Sequence, residues 1–157
     1  MNKKPVSILF VCTGNICRSP TAEALFRHAV RTRGLETAFT HDSAGVASHH
    51  IGHAPDVRSQ KATKDRGIDM SDLRARDIRP SDFYEFDLIL AMDDSHLKAL
   101  KKAAPADATA EIALYLPHSG HSDADVPDPY YGETADFEHV YTLIDEATQA
   151  LLRKLGH

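Results

Sequence analysis

Val6-Ser7-Ile8-Leu9-Phe10-Val11 is a short, nearly unbroken apolar run rich in β-branched residues, the pattern of a strand covered on both faces. After Gly14 the period changes. Ala22, Leu25, Phe26, Ala29 and Val30 fall at i, i+3, i+4, i+7 and i+8, which predicts a helix with one buried stripe. Pro20 sits near its first turn and Gly34 supplies its stop. Residues 38–43 predict a second strand, ending in the turn signal Asp42-Ser43-Ala44-Gly45, and a helix follows from Asp56 to a stop at Gly67. Residues 86–92 read as another buried strand, 95–103 as a helix and 111–116 as a weaker strand. Residues 117–132, rich in Pro, Gly, Asp and Ser, read as a long loop of the kind that carries function. Phe137, Val140, Tyr141, Ile144, Ala147, Leu151 and Leu155 then mark a closing amphipathic helix ended by Gly156. Strand and helix alternate throughout, which predicts an α/β fold: a parallel sheet with helices on both faces, in a single domain over residues 1–157.

Composition narrows the partners. The 157 residues are 42% hydrophobic and carry a formal net charge of −5, so the chain has an ordinary globular balance and lacks the Lys/Arg surplus that phosphate neutralisation on nucleic acid requires. The basic start, residues 1–4, followed by a short apolar run, mimics a leader only faintly, since the run passes into Gly14, Asn15 and Arg18 without a small-residue cleavage site. No stretch approaches the ~20 apolar residues of a membrane span. Two cysteines, Cys12 and Cys17, do not make a disulfide scaffold, so reduced thiols and a cytoplasmic location are expected.

The chemistry concentrates in Val11-Cys12-Thr13-Gly14-Asn15-Ile16-Cys17-Arg18-Ser19-Pro20, where the first strand ends and the first helix begins. Ligands bind at such edges of α/β sheets. Gly14, and Asn15 as a residue tolerant of positive φ, let the backbone curl so that successive N–H groups point inward, forming an anion nest at a helix N-terminus. That positive field favours the thiolate of Cys12, and a thiolate facing a phosphate-sized cradle is a phosphoryl-transfer nucleophile. The planar fork of Arg18 can bind two equatorial oxygens as the phosphoryl group flattens. The hydroxyl of Ser19 can donate to the sulfur. The bland alternative, a buried cysteine at a strand end beside a surface arginine, fits Cys-x5-Arg alone but not the strand, Gly-Asn turn and helix around it.

The segment resembles the phosphate-binding loop of the low-molecular-weight protein tyrosine phosphatases, Cys-x-Gly-Asn-Ile-Cys-Arg-Ser-Pro. The resemblance extends to Asp42-Ser43-Ala44-Gly45, to Phe86-Asp87-Leu88-Ile89-Leu90-Ala91-Met92-Asp93 and to Val126-Pro127-Asp128-Pro129-Tyr130-Tyr131-Gly132. It implies a four-stranded parallel sheet in a flavodoxin- or Rossmann-like three-layer sandwich, hydrolysis of phosphotyrosine in proteins, and no metal or organic cofactor. The implied catalytic set is Cys12, Arg18 and Asp128, the last as general acid; Thr13, Gly14, Asn15, Ile16, Cys17 and Ser19 form the cradle. Tyr130 and Tyr131 wall a slot for a flat phenyl ring. The partners implied are a phosphotyrosine protein, with a tyrosine kinase as a candidate, and inorganic phosphate as product. From sequence alone Asp128 competes with Asp123, Asp125 and Asp136, all plausible turn residues.

Three positions depart from or refine the pattern. Where the family often has an aromatic on its variable loop, this chain has His49, followed by His50 and His53; with no ordered ligand spacing, the expected role of these rings is to line a pocket mouth, not to hold a metal. Asp72 and Leu73 stand where many relatives have a histidine that helps hold the loop asparagine, leaving Ser43 as the expected hydrogen-bond support for Asn15. Cys17 could be a small packing residue, but beside an accessible thiolate it is expected to trap an oxidised Cys12 as a reversible disulfide, which makes the site redox-sensitive. A protein-arginine phosphatase on the same scaffold is the nearest alternative, but such relatives carry Thr at Ile16 and Phe at Tyr130. An arsenate reductase of similar fold needs further cysteines to shuttle a disulfide, and this chain has only Cys12 and Cys17. A non-catalytic phosphotyrosine-binding module is expected to have lost the nucleophile or the acid, and this sequence has both.

Overall fold

A computed structural model describes residues 4–47 and 49–157; residues 1–3, where the leader-like start falls, and Ser48 lie outside the described residues. The chain runs β1 (Val6–Cys12), α1 (Arg18–Thr32), β2 (Phe39–Gly45), α2 (Val57–Lys64), α3 (Asp82–Glu85), β3 (Leu88–Ala91), α4 (Asp94–Ala103), β4 (Glu111–Leu114), α5 (Tyr115–Ser119) and α6 (Thr134–Lys154). The four strands form one parallel sheet in the order β2-β1-β3-β4, with Cys12 opposite Gly45 and Val11 opposite Ala91. The α/β sandwich with helices on both faces is therefore what the alternating pattern predicted.

The central strand explains the layering. Successive side chains of a strand point to opposite faces. Ile8 and Phe10 enter one core with Leu25 and Phe26 of α1 and Ile144 and Leu151 of α6. Leu9 and Val11 enter the other with Ile89, Ala91 and Leu100 of α4. Tyr115, the largest buried side chain, packs edge-on to Phe10 and bonds Thr148 of α6 through its hydroxyl at 2.8 Å, which satisfies a polar group deep in the core.

Three element boundaries differ from expectation. The turn signal at Asp42-Ser43-Ala44-Gly45 is strand: β2 pairs with β1 through Gly45 before the chain departs. The loop from 117 to 132 begins inside α5, with Pro117 in that helix's first turn, where its missing N–H costs nothing. The one-turn α3 has too few residues to show a period; Phe83 anchors it in the second core.

Candidate active site

The strand order sets where a ligand can enter. After β1 the chain crosses to β2 on one side and later to β3 on the other, so β1 and β3 diverge at their C-terminal ends and open a crevice. Cys12 ends β1 at one wall of this crevice, and Asp93 follows β3 at the other.

Residues 13–17 curl from β1 into α1, with Asn15 at φ 57°, the left-handed conformation its side chain tolerates. Two neighbours hold the curl. The amides of Val46 and Ala47 donate to the carbonyls of Cys12 and Thr13 at 3.0 Å. The side chain of Asn15 donates to Ser19 Oγ at 2.8 Å and accepts from the Arg76 amide at 3.0 Å. The expected bond from Ser43 to Asn15 is not made: Ser43 Oγ donates to the buried carboxylate of Glu23 at 2.9 Å, and His41 Nδ1 meets the same carboxylate at 2.8 Å. Glu23 on α1 competes successfully for the hydroxyl because a carboxylate is the stronger acceptor. Asp72, in place of the family histidine, pairs with Arg27 at 2.8 Å.

Ser19 Oγ lies 3.0 Å from Cys12 Sγ. Because Asn15 already donates to that oxygen, the Ser19 proton is free to serve the sulfur, with the Ala44 carbonyl more distant at 3.4 Å. Arg18 is only 3% exposed. Its Nη1 donates to Asp93 Oδ2 at 2.7 Å and to the Val126 carbonyl at 2.9 Å. Its Nη2 lies 3.4 Å from both Thr13 Oγ1 and His96 Nε2, and 3.8 Å from Asp128 Oδ2. One edge of the guanidinium is thus fixed, and the other faces the cradle.

These groups surround a cleft of about 490 Å³ floored by Cys12, Thr13, Gly14, Ile16, Cys17 and Arg18. Its rim carries His49, His50, Asp128, Tyr130 and Tyr131, so the predicted aromatic walls and the variable-loop histidine meet at one mouth. Asp128 is 50% exposed on its proline-flanked loop, with Oδ1 accepting from the Tyr130 amide at 3.0 Å. The two tyrosines differ. Tyr130 is steadied by the Arg58 guanidinium 5.5 Å above its ring, whereas Tyr131 is 94% exposed and touches Tyr130 edge to face. The His53 ring lies tilted against His50 at 5.8 Å between centroids but does not line the cleft.

Electrostatics sort the other titratable groups. Burial, and then the charge of Asp56, push the Cys17 thiol up to about 12. Burial and the neighbouring Arg18 cation push His96 down to about 4. Burial works against ionisation of Asp93, yet hydrogen bonds from Ser95 and Arg18 hold its carboxyl below the ordinary range. Asp93, His96, Arg76 and Glu23 are the site residues that sequence reasoning did not single out. A signal existed for the first pair: Asp93-x-x-His96 at the end of a buried strand is a helix cap at a sheet edge, where ligands bind.

A family model for low molecular weight phosphotyrosine protein phosphatases matches residues 7–157. The low molecular weight protein-tyrosine-phosphatase YfkJ of Bacillus subtilis is 42% identical over 151 residues, 96% of each chain, and its crystal structure superposes with a TM-score of 0.91 over 99% of this chain and 98% of that one. The low molecular weight phosphotyrosine protein phosphatase of Gallus gallus is 42% identical over 94% of each chain. The structure of DARP, a Drosophila arginine phosphatase, is also similar, with a TM-score of 0.88 at 35% identity over 96% of this chain and 98% of that one. With the cradle, the buried arginine and these likenesses together, the chain belongs to the low-molecular-weight phosphotyrosine protein phosphatase family.

Proposed function

We propose that this chain hydrolyses phosphotyrosine in proteins through a cysteinyl-phosphate intermediate. One observation carries the reading: Cys12 Sγ sits at the floor of a cleft ringed by loop backbone and the free edge of Arg18, with the Ser19 hydroxyl 3.0 Å behind it. Cys12 attacks phosphorus in line, so the S–P bond forms as the P–O bond to the tyrosine ring breaks. The departing phenolate, whose conjugate acid has a pKa of about 10, takes a proton from Asp128 at the rim. Asp128 then removes a proton from water, which attacks phosphorus, breaks the S–P bond and releases inorganic phosphate and the thiolate. Arg18 and the loop amides hold the equatorial oxygens through both steps.

Ile16 on the floor and Tyr130 on the rim make the slot apolar and aromatic, which suits a phenyl ring better than a charged guanidinium. Arginine phosphatase activity is the second reading, because DARP shares the fold. The deciding measurement is kcat/KM on matched phosphotyrosine and phosphoarginine peptides, with Cys12→Ser as the blank. The expected result is a preference for phosphotyrosine that vanishes in Cys12→Ser. Preference for phosphoarginine would overturn the substrate class but not the nucleophile, activity surviving in Cys12→Ser would overturn the mechanism, and binding without turnover in the wild type would make the protein a binding module.

A further inference from the structure

Beneath the cleft a second layer touches the reacting groups indirectly. His96, 1% exposed in the first turn of α4, points its ring at the floor. Its Nδ1 accepts the backbone N–H of Asp93 at 3.2 Å, closing a capping box at the start of α4. Asp93 Oδ1 also lies 3.2 Å from Nδ1, but with the Asp93 N–H aimed at that nitrogen a ring proton there would set two hydrogens against each other, so we assign the neutral ring's proton to Nε2. That nitrogen lies 2.7 Å from Thr13 Oγ1. The ring keeps this neutral form over the working range because burial and Arg18 oppose its protonation.

Thr13 Oγ1 therefore receives donors from two sides, His96 Nε2 and, at 3.4 Å, Arg18 Nη2. Its own hydrogen is left to face the cleft that Thr13 lines. The arrangement matters because Arg18 is fixed asymmetrically. Nη1 has two short bonds, to Asp93 and Val126, whereas Nη2 has only the longer approaches to Thr13, His96 and Asp128.

We propose that His96 is a positioning residue for the reaction: it holds the Thr13 hydroxyl oxygen against Arg18, and so sets where the outer guanidinium nitrogen and the Thr13 O–H meet the phosphoryl oxygens. The proposal rests on the phosphatase reading above and adds to it a residue outside the Cys-to-Arg motif, His96, acting on one inside it, Thr13. Thr13 touches the substrate; His96 acts through Thr13.

The side-chain chemistry of His96 allows a clean test. In His96→Asn, the amide oxygen falls where Nδ1 stood, so the cap is kept and the reach to Thr13 is lost. In His96→Gln, the longer amide returns an N–H donor to the place of Nε2. Both are compared with Thr13→Val and with the Thr13→Val/His96→Asn double variant. The readings are kcat/KM on p-nitrophenyl phosphate, Kd for inorganic phosphate and the thermal midpoint. Expected are a fall of about tenfold in kcat/KM and a parallel weakening of phosphate binding in His96→Asn, at a nearly unchanged thermal midpoint, with most of the loss recovered in His96→Gln. The double variant should be no worse than the poorer single one, because both remove the same interaction.

Losses that multiply in the double variant would overturn the proposal. So would a Gln variant no better than Asn, or an Asn variant that lowers the thermal midpoint and leaves kinetics and phosphate affinity alone. Phosphate affinity is read without turnover. A wild type that binds phosphate but does not cleave the aryl ester would sink the phosphatase reading, while the Kd series would still decide the role of His96.

Discussion

The two thiols of the cradle lie five residues apart and experience opposite surroundings. Cys12 ends a strand with the Ser19 hydroxyl at its sulfur and the open cleft in front of it. Cys17 caps α1 with Asp56 nearby, and burial holds its thiol protonated at about 12; only a hydrogen bond from Ser59 works the other way. A thiol protonated so firmly is a poor nucleophile, because the thiolate is the reacting form. Disulfide formation with an oxidised Cys12 would require Cys17 to shed its proton against that burial. Iodoacetamide at pH 7 should therefore label Cys12 in the folded protein and spare Cys17 until denaturant is added. Peptide mass mapping reads this directly, and equal labelling of both thiols in the folded state would contradict it.

Among the elements, β2 shows how closely the cradle is fitted to its neighbour. A Cβ on Gly45 would lie 2.6 Å from the Thr13 carbonyl oxygen and 3.1 Å from the Asn15 amide nitrogen, both backbone atoms with no rotamer to relieve the clash. Gly45→Ala should push the loop off β2, with a stability loss of about 1–3 kcal/mol, as for overpacking elsewhere. It should also lower kcat/KM by roughly tenfold or more, since a small misplacement of reacting groups is costly. Urea titration and steady-state kinetics on the same preparation check both; unchanged activity would show that the loop tolerates the shift. Gly45 also shows why the sequence was legible only in part. A glycine after Asp-Ser-Ala reads as turn chemistry, and nothing local reveals that it is needed for close backbone approach. Cys12 to Ser19 could be read because strand, turn and helix are contiguous there. For Asp93 and His96 only the helix cap was legible; the partners they meet in the site lie 75 and 83 residues away in the chain and are joined only by the order of strands in the sheet. Glu23 taking the Ser43 hydroxyl was hidden for the same reason: α1 lies across β2 only once the chain has folded.

At the scale of the whole molecule, the crevice between β1 and β3 concentrates buried charge, and that ties stability to pH. His96 faces Arg18 from α1, Asp93 from its own cap, and Asp128 and Asp125 from the long loop; burial and Arg18 prevail over the carboxylates. Its folded pKa of about 4 lies below the ordinary imidazole value of about 6.5, so between these values the unfolded chain binds the extra proton and the folded one does not. Its stabilising contribution is thus fully present above about pH 6.5 and is lost as pH falls towards 4, by about 3 kcal/mol in all. Burial pushes His118 in the same direction, which adds to the slope. A second loss follows below about pH 4: hydrogen bonds from Ser95 and Arg18 hold Asp93 low and Arg58 holds Asp56 low, so the unfolded chain takes up protons there that the folded one does not. Thermal midpoints measured from pH 7.5 to 3.5 should therefore fall in two stages for the wild type. In His96→Asn the fall between pH 6.5 and 4 should be much shallower and the one below pH 4 retained. Parallel curves for the two proteins would mean that His96 is not what couples the crevice to acid.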